Sequence, residues 1–228
     1  MRRKTILSLA LAFVGGTLSN RAAAASDNQI WTSANATIKL NASWRVQQEL
    51  TARVSDNRSG LYELESATML GYQPLKNVTV AAGYVHNPQY AEWDFTVMER
   101  RAREQITVDN IAKIGSGKMS ARFRMEQRWR EHVDGTGWRA RPYVKFSFPL
   151  RKGSKTSLTL SNETFFNLNT TLFQRQDGLD RMRNLIAINT PLSKSLSAEF
   201  GYLNQYGFVR RGEDTSDHVA SLSLSLNL

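Results

Sequence analysis

Residues equipped for covalent or metal chemistry are scarce in this chain. Its three histidines, His86, His132 and His218, sit at the edges of expected loops, and none is followed two residues later by a serine. On a strand, that offset would put a nucleophile and its base on one face, within the hydrogen-bond reach that serine chemistry needs. Three scattered imidazoles and no cysteine do not compose a metal site either. No catalytic residue, metal or cofactor is assigned, and the chain is expected not to be an enzyme.

What the sequence repeats instead is charge at every second position. Arg45, Glu49 and Arg53 share one parity, as do Glu63 with Glu65, Arg101 with Arg103, and Arg139, Arg141 and Lys145. Arg122, Arg124, Glu126, Arg128 and Arg130 form the longest such run, and Glu163 and Glu199 stand singly on their segments. Side chains two apart leave the same face of a strand, so each group forms an ionic stripe. If the stripes face a common interior, two outcomes are open. An arginine wall opposite acids sets up a transverse field that draws anionic solutes. Long Arg and Glu chains meeting across a narrow interior form a salt-bridged plug, because buried charges must be paired.

The segments that carry these stripes are extended. The last ten residues, VASLSLSLNL, place Leu222, Leu224, Leu226 and Leu228 on one parity with Ala220 and polar residues on the other. Trp44, Val46, Leu50, Ala52 and Val54 alternate with Arg45, Glu49 and Arg53; Trp138, Ala140, Val144, Phe146, Phe148 and Leu150 alternate with Arg139, Arg141 and Lys145. Around a two-residue turn at Gly115-Ser116, pairing Ile114 with Gly117 sets Ile106 against Met125 and Val108 against Phe123 on an apolar face. The other face then opposes Arg103 to Arg128 and Arg101 to Arg130. Trp31, Trp44, Trp129, Trp138, Tyr62 and Tyr72 lie near strand ends, where interfacial girdles form.

At the start, Met1-Arg2-Arg3-Lys4 precedes an apolar run from Ile6 to Val14 and then Ala22-Ala23-Ala24-Ala25. This order predicts a secretory signal peptide over 1–25, cleaved near Ala25, and a single domain over 26–228. No stretch reaches the ~20 apolar residues that a transmembrane helix needs. Loss of Arg2, Arg3, Lys4 and Arg21 leaves 26 basic against 20 acidic residues, a balance of +6. Export argues against nucleic acid as the partner of that charge. Without cysteine, an exported chain must close its fold by hydrogen bonds and packing.

Strands are expected at about 29–40, 43–55, 61–74, 77–87, 93–114, 117–131, 138–150, 155–168, 181–191, 195–209 and 216–228. Connections alternate between short (75–77, 115–116, 151–154, 192–194) and long (55–60, 87–92, 132–137, 169–180, 210–215). That alternation is the signature of an all-β, antiparallel up-and-down transmembrane β-barrel of about 10 to 12 strands, with short turns in the periplasm and long loops outside. Ten strands follow from Trp44 onward. Residues 29–40 are then an eleventh, which an even-stranded bacterial barrel has no place for.

A family resemblance rests on Gln29-Ile30-Trp31-Thr32, Trp44-Arg45, Leu70-Gly71-Tyr72-Gln73-Pro74, Ala82-Gly83-Tyr84, the arginine-rich run from Arg122 to Trp129, and Arg139 to Pro142. Together these resemble the proteobacterial outer-membrane proteins of the DUF2490 family. The resemblance implies an outer-membrane β-barrel in a Gram-negative cell and brings no activity with it. One departure is the last residue, Leu228, where strands read by the barrel assembly machinery often end in Phe.

The expected function is that of a porin-like outer-membrane barrel whose Arg/Glu-lined lumen is mostly occluded, structural in role or passing small anionic solutes. A barrel enzyme modifying lipid or lipopolysaccharide is one alternative and a secreted soluble β-sandwich another. Expected partners are outer-membrane lipid, lipopolysaccharide and the assembly machinery, with the chain monomeric and no nucleic acid bound.

Overall fold

The computed structural model describes residues 24–228, so all but the end of the expected signal peptide lies outside the described residues. Eleven strands follow one another without a helix. They are β1 (Ala25–Lys39), β2 (Trp44–Ser55), β3 (Gly60–Leu75), β4 (Val78–Ala91), β5 (Asp94–Ile114), β6 (Gly117–Arg130), β7 (Val133–Pro149), β8 (Ser157–Asn167), β9 (Gly178–Pro191), β10 (Leu196–Gly207) and β11 (Thr215–Asn227). All belong to one closed barrel, which excludes the β-sandwich.

Closure explains the unplaced first segment. Hairpin-connected strands alternate in direction, so in an odd-stranded barrel the first and last must run the same way where they meet. β1 indeed pairs antiparallel with β2 but parallel with β11, with Ala25 beside Thr215 and Thr37 beside Asn227. The segment that seemed supernumerary is a full wall strand, and its parallel ladder leaves no open edge.

The connections fall on two rims. Residues 40–43, 76–77, 115–116, 150–156 and 192–195 lie on the rim that also holds Leu228. Residues 56–59, 92–93, 131–132, 168–177 and 208–214 lie on the opposite rim, with Ala25. Two loops expected to be long are in fact tight turns. β4 continues through Pro88, which pairs with Met98, and the chain reverses at Glu92 and Trp93, both with positive φ (50° and 74°). β7 likewise begins at Val133, directly after His132 at φ 60°. Asn, Asp, Pro and Gly in these stretches look like loop composition, yet the ladder continues through them.

The β5/β6 hairpin corrects a register. Ile114 pairs with Gly117 and Ala112 with Met119 as expected, but above a bulge the partners slip by two, to Val108 with Ala121 and Ile106 with Phe123. Asn110, at φ 52°, lies in the bulged segment. A slip of two keeps every side chain on its face. It replaces the expected Arg103–Arg128 opposition by Arg103–Glu126 and brings Arg130 opposite Glu99, while Arg101 faces Arg128 across the shared acid Glu99.

Outward residues such as Ile30, Leu50, Leu70, Phe123, Ile186, Phe200 and Leu222 are exposed on the barrel's outside. An apolar band of this extent is stable against hydrocarbon and not against water. Trp44, Tyr72, Trp129 and Trp138 belong to that outer surface, whereas Trp31 and Tyr62 point inward and are buried. Trp31 has the parity of the inward-facing Gln29 and Ser33, which overrides its position near a strand end. Inside the seam, Trp31 packs with Leu203, Val219 and the half-buried Leu185. This small apolar patch lies on β9, β10, β11 and β1; elsewhere buried apolar residues such as Met69, Val85 and Phe165 stand among a mostly charged and polar interior.

Candidate functional site

The interior charges meet in a layer that crosses the barrel. It begins on β2, where Arg53 Nη1 donates to Glu63 Oε2 on β3 at 2.7 Å. On β5, Arg101 donates to Glu65 through Nη1 and to Glu99 through Nε, each at 2.7 Å, and also to Asn87 on β4. Arg103 Nη2 bridges Glu65 at 2.8 Å and Glu126 on β6 at 2.9 Å. Glu126 accepts from Arg139 Nη2 at 2.6 Å and from Arg141 Nη1 at 2.7 Å, both on β7. Arg141 passes on to Glu163 on β8 at 3.0 Å, which Arg122 also engages.

The remaining arc is closed by polar and aromatic groups. Arg183 on β9 lies 3.8 Å from Glu163 and donates to Gln205 on β10 at 2.8 Å. Gln205 donates to Asp217 on β11 at 2.6 Å. On β1, Trp31 carries the guanidinium of Arg53 at 4.3 Å from its ring centroid and that of Arg183 at 4.6 Å. Trp31 and Tyr62 both donate to Gln29, which donates to Asp27. Contacts thus run from Arg53 around the wall and back to it.

This arrangement differs from the segregated arginine wall that the sequence suggested. Glu99 and Glu126 stand on the arginine-bearing strands themselves, and each side chain is fully buried between guanidiniums. Glu99 takes Arg128 through both oxygens at 3.0 Å and Arg130 at 3.1 Å. Fork-to-fork pairs of this kind are strong and directional, and they offset a desolvation penalty of several kcal/mol for each buried ion.

Not every expected member joins the layer. Arg45 bonds to Gln73 nearer the C-terminal rim, and Arg124 bonds through Nε to Gln105 at 2.9 Å. Glu49 reaches only to 4.0 Å from Arg103 and is partly exposed. Lys145 and Glu199 face the interior opposite serines and Asn189, and among the described residues neither joins an ion pair. Conversely, Glu99, Arg181, Arg183, Trp31 and Phe165 were not selected from the sequence. All have the inward parity of their strands, so strand phase was the signal that could have found them.

Above the layer, toward the N-terminal rim, lies a chamber of about 650 Å³. Ten arginines and five carboxylates line it, so its field favours an anion. Its floor is organised around the buried ring of Phe165. The guanidiniums of Arg141, Arg183, Arg139 and Arg181 stand 4.5, 4.6, 5.2 and 5.7 Å from that ring's centroid. Cation–π contact, worth ~0.5–2 kcal/mol each, holds them in place; Arg139 and Arg141 direct their donors to Glu126 and Glu163, so the edges offered to a ligand are chiefly those of Arg181 and Arg183. The longest connection, residues 168–177, folds inward over one side. Gln174 is 2% exposed; it accepts from Arg128 at 2.9 Å and donates to the Asn169 carbonyl at 2.8 Å. Phe173 covers Arg128 and Arg130.

Of the three histidines expected at loop edges, His132 lies in the 131–132 turn, but the other two do not. His86 lies within β4, and His218 lies within β11, where its Nδ1 is 2.6 Å from Tyr202 Oη. Ser216 precedes His218 by two residues on the same outward face, with its Oγ accepting from Asn204 at 3.0 Å. A search for serine only after each histidine passes over it.

The chain matches a family described as "Protein of unknown function (DUF2490)" over residues 28–216. An uncharacterized protein of Methylorubrum extorquens is 28% identical over 177 residues, which cover 77% of each chain. Among solved structures, LpxR from Salmonella typhimurium aligns with a TM-score of 0.49 and 8% identity, over 80% of this chain and 83% of that one. That likeness concerns the fold alone. The expectation that the chain is not an enzyme does not stand beside this neighbour and is withdrawn. A barrel of this outline is no argument against catalysis.

Proposed function

The chain belongs to the DUF2490 family, and we propose that it acts as an outer-membrane barrel closed to free diffusion, which takes small multivalent anions into the arginine-floored chamber above its ionic layer. The observation that supports this most is the unbroken circuit of contacts from Arg53 through Glu65, Glu126 and Glu163 to Arg183 and Trp31. A solute entering from the N-terminal rim meets guanidinium edges and then a floor of paired charges. Passage across would require those pairs to open. Eleven strands lie closer to the filled eight-strand barrels than to the 16-strand porins with open channels.

In this proposal residues 1–25 direct export and are removed, the apolar band contacts lipid and lipopolysaccharide, and the monomer is inserted by the barrel assembly machinery. The N-terminal rim faces outward, because the longest connection, 168–177, lies there. The start of β1 is therefore at the cell surface and the 115–116 turn is periplasmic. The chain has no cysteine of its own, so single cysteines report sidedness cleanly. Ser26→Cys is expected to react with a membrane-impermeant maleimide on intact cells, and Ser116→Cys only after the outer membrane is disrupted. The opposite pattern would invert the orientation.

Ligand capture is tested by calorimetry of the detergent-solubilised protein with inorganic pyrophosphate, a compact multivalent anion. Saturable binding that weakens when Arg181 and Arg183 are neutralised is the expected result. No heat, or equal binding by the neutralised protein, would refute the chamber as a site.

A further inference from the structure

A second anion position lies on the other side of the ionic layer, where one buried arginine has no acid. Among the described residues, every other buried arginine has a carboxylate within 4.0 Å: Arg53, Arg101, Arg103, Arg128, Arg139 and Arg141. Arg124 is 4% exposed, yet its hydrogen bond is to the neutral Gln105. Its guanidinium feels the repulsion of Arg103, Arg122 and Arg141, against which the attraction of Glu49 is the smaller influence. Two of these neighbours also hold free donors: Arg103 Nη1 and Arg122 Nε are buried without a hydrogen-bond partner. Glu49, at 4.0 Å from Arg103 Nη1, is too far to accept a hydrogen bond from it.

A buried charge without a counter-charge is among the costliest features a fold can keep. Here the cost falls on Arg124 and on the unpartnered donors of Arg103 and Arg122. These residues lie on the C-terminal-rim side of the layer: β6 starts at that rim with Gly117, and Arg122 and Arg124 precede Glu126 along it. Solvent reaches this side, since the Glu49 side chain is 39% exposed. We propose that Arg103, Arg122 and Arg124 together hold one small inorganic anion of chloride size, which supplies the charge that Gln105 does not. This site is separate from the chamber above, because Glu126 and its three arginines stand between them. It does not depend on the function proposed for that chamber.

The test is thermal unfolding of the full detergent-solubilised barrel, followed by heat-dependent gel migration, at equal ionic strength in potassium chloride or potassium gluconate. Gluconate is a far larger anion than chloride and is expected not to fit among three guanidiniums. Wild-type protein is expected to melt about 5 °C higher in chloride, as ligand linkage requires for a site that is filled only in the native state. Gln105→Glu places a carboxylate where Arg124 already donates. It is expected to melt equally in both salts, at or above the wild-type value in chloride. Arg124→Gln should lose the chloride effect and melt no lower than wild type in gluconate, although it removes a buried side chain's hydrogen bond. Arg183→Gln, which alters the upper chamber and that edge of the layer but leaves Arg103, Arg122 and Arg124 in place, should keep the full effect. Equal melting of wild-type protein in the two salts would overturn the site and mean that water satisfies these donors. So would a chloride effect that survives in Gln105→Glu or disappears in Arg183→Gln. The last outcome would move the anion to the upper chamber.

Discussion

Glu126→Gln is expected to lower the melting temperature of the solubilised barrel by about 6–20 °C, the shift that corresponds to ~3–5 kcal/mol in a protein of this size. The reason is geometric. The Glu126 side chain is fully buried, and its two oxygens receive Arg103 Nε at 3.0 Å, Arg139 Nε and Nη2 at 2.9 and 2.6 Å, and Arg141 Nη1 at 2.7 Å. Glutamine keeps one acceptor oxygen and turns an amino group toward guanidiniums that are themselves only donors. Three arginines then lose their shared acid at the centre of the layer. Glu131→Gln is the control, because Glu131 lies outside the network in the 131–132 turn. Its melting temperature should stay within about 2 °C of wild type, as surface changes generally do. A Glu126→Gln barrel as stable as the control would show that the central pairs carry little of the structure.

The second large effect is on ligand capture. Arg181→Gln combined with Arg183→Gln is expected to weaken pyrophosphate binding by about 100-fold or more, since each charge-assisted hydrogen bond contributes ~1.5–3 kcal/mol. Both residues come from β9, and both stand over Phe165. Neither holds a central carboxylate: Arg181 pairs with Asp180, and Arg183 approaches Glu163 only to 3.8 Å, where Arg141 is already bound. The double substitution should therefore leave the melting temperature close to wild type while affinity falls. Raising the salt concentration should weaken wild-type binding as well, because the chamber opens to solvent and its field is screened. Affinity in the double variant equal to that of wild type would remove these two arginines from the site.

The wall of this protein was largely legible in its sequence because a strand writes its two faces in alternation. The ends of β5, β6 and β9 fall within a few residues of where period-two patterning puts them, and the final leucines face outward as their parity requires. Parity also contained more of the site than was first taken from it. Glu99 has the phase of Arg101 and Arg103, and Arg181 and Arg183 share one face of β9. Trp31 shows the limit of judging a residue by type: proximity to a strand end suggested a girdle, whereas its phase with Gln29 and Ser33 puts it under Arg53 and Arg183.

Other features lay beyond any local pattern. The two-residue slip at Val108 and Ala112 depends on which partners best match across β5 and β6. It decides whether arginine meets arginine or glutamate. Parallel closure of β1 on β11 follows from an odd strand count, which composition alone could not establish. The inward fold of residues 168–177 rests on Gln174 reaching Arg128, a contact between residues 46 positions apart. Such contacts leave no periodic trace.

The most direct test of the whole account is the current through single purified barrels in a planar lipid bilayer, measured in chloride across both polarities. Ionic contacts that circle the lumen should leave wild-type protein without a steady conductance, even in bilayers where insertion is confirmed independently by protease protection. A stable ohmic current through the inserted wild-type barrel would contradict the closed layer and, with it, the separation of the two anion positions on its opposite sides.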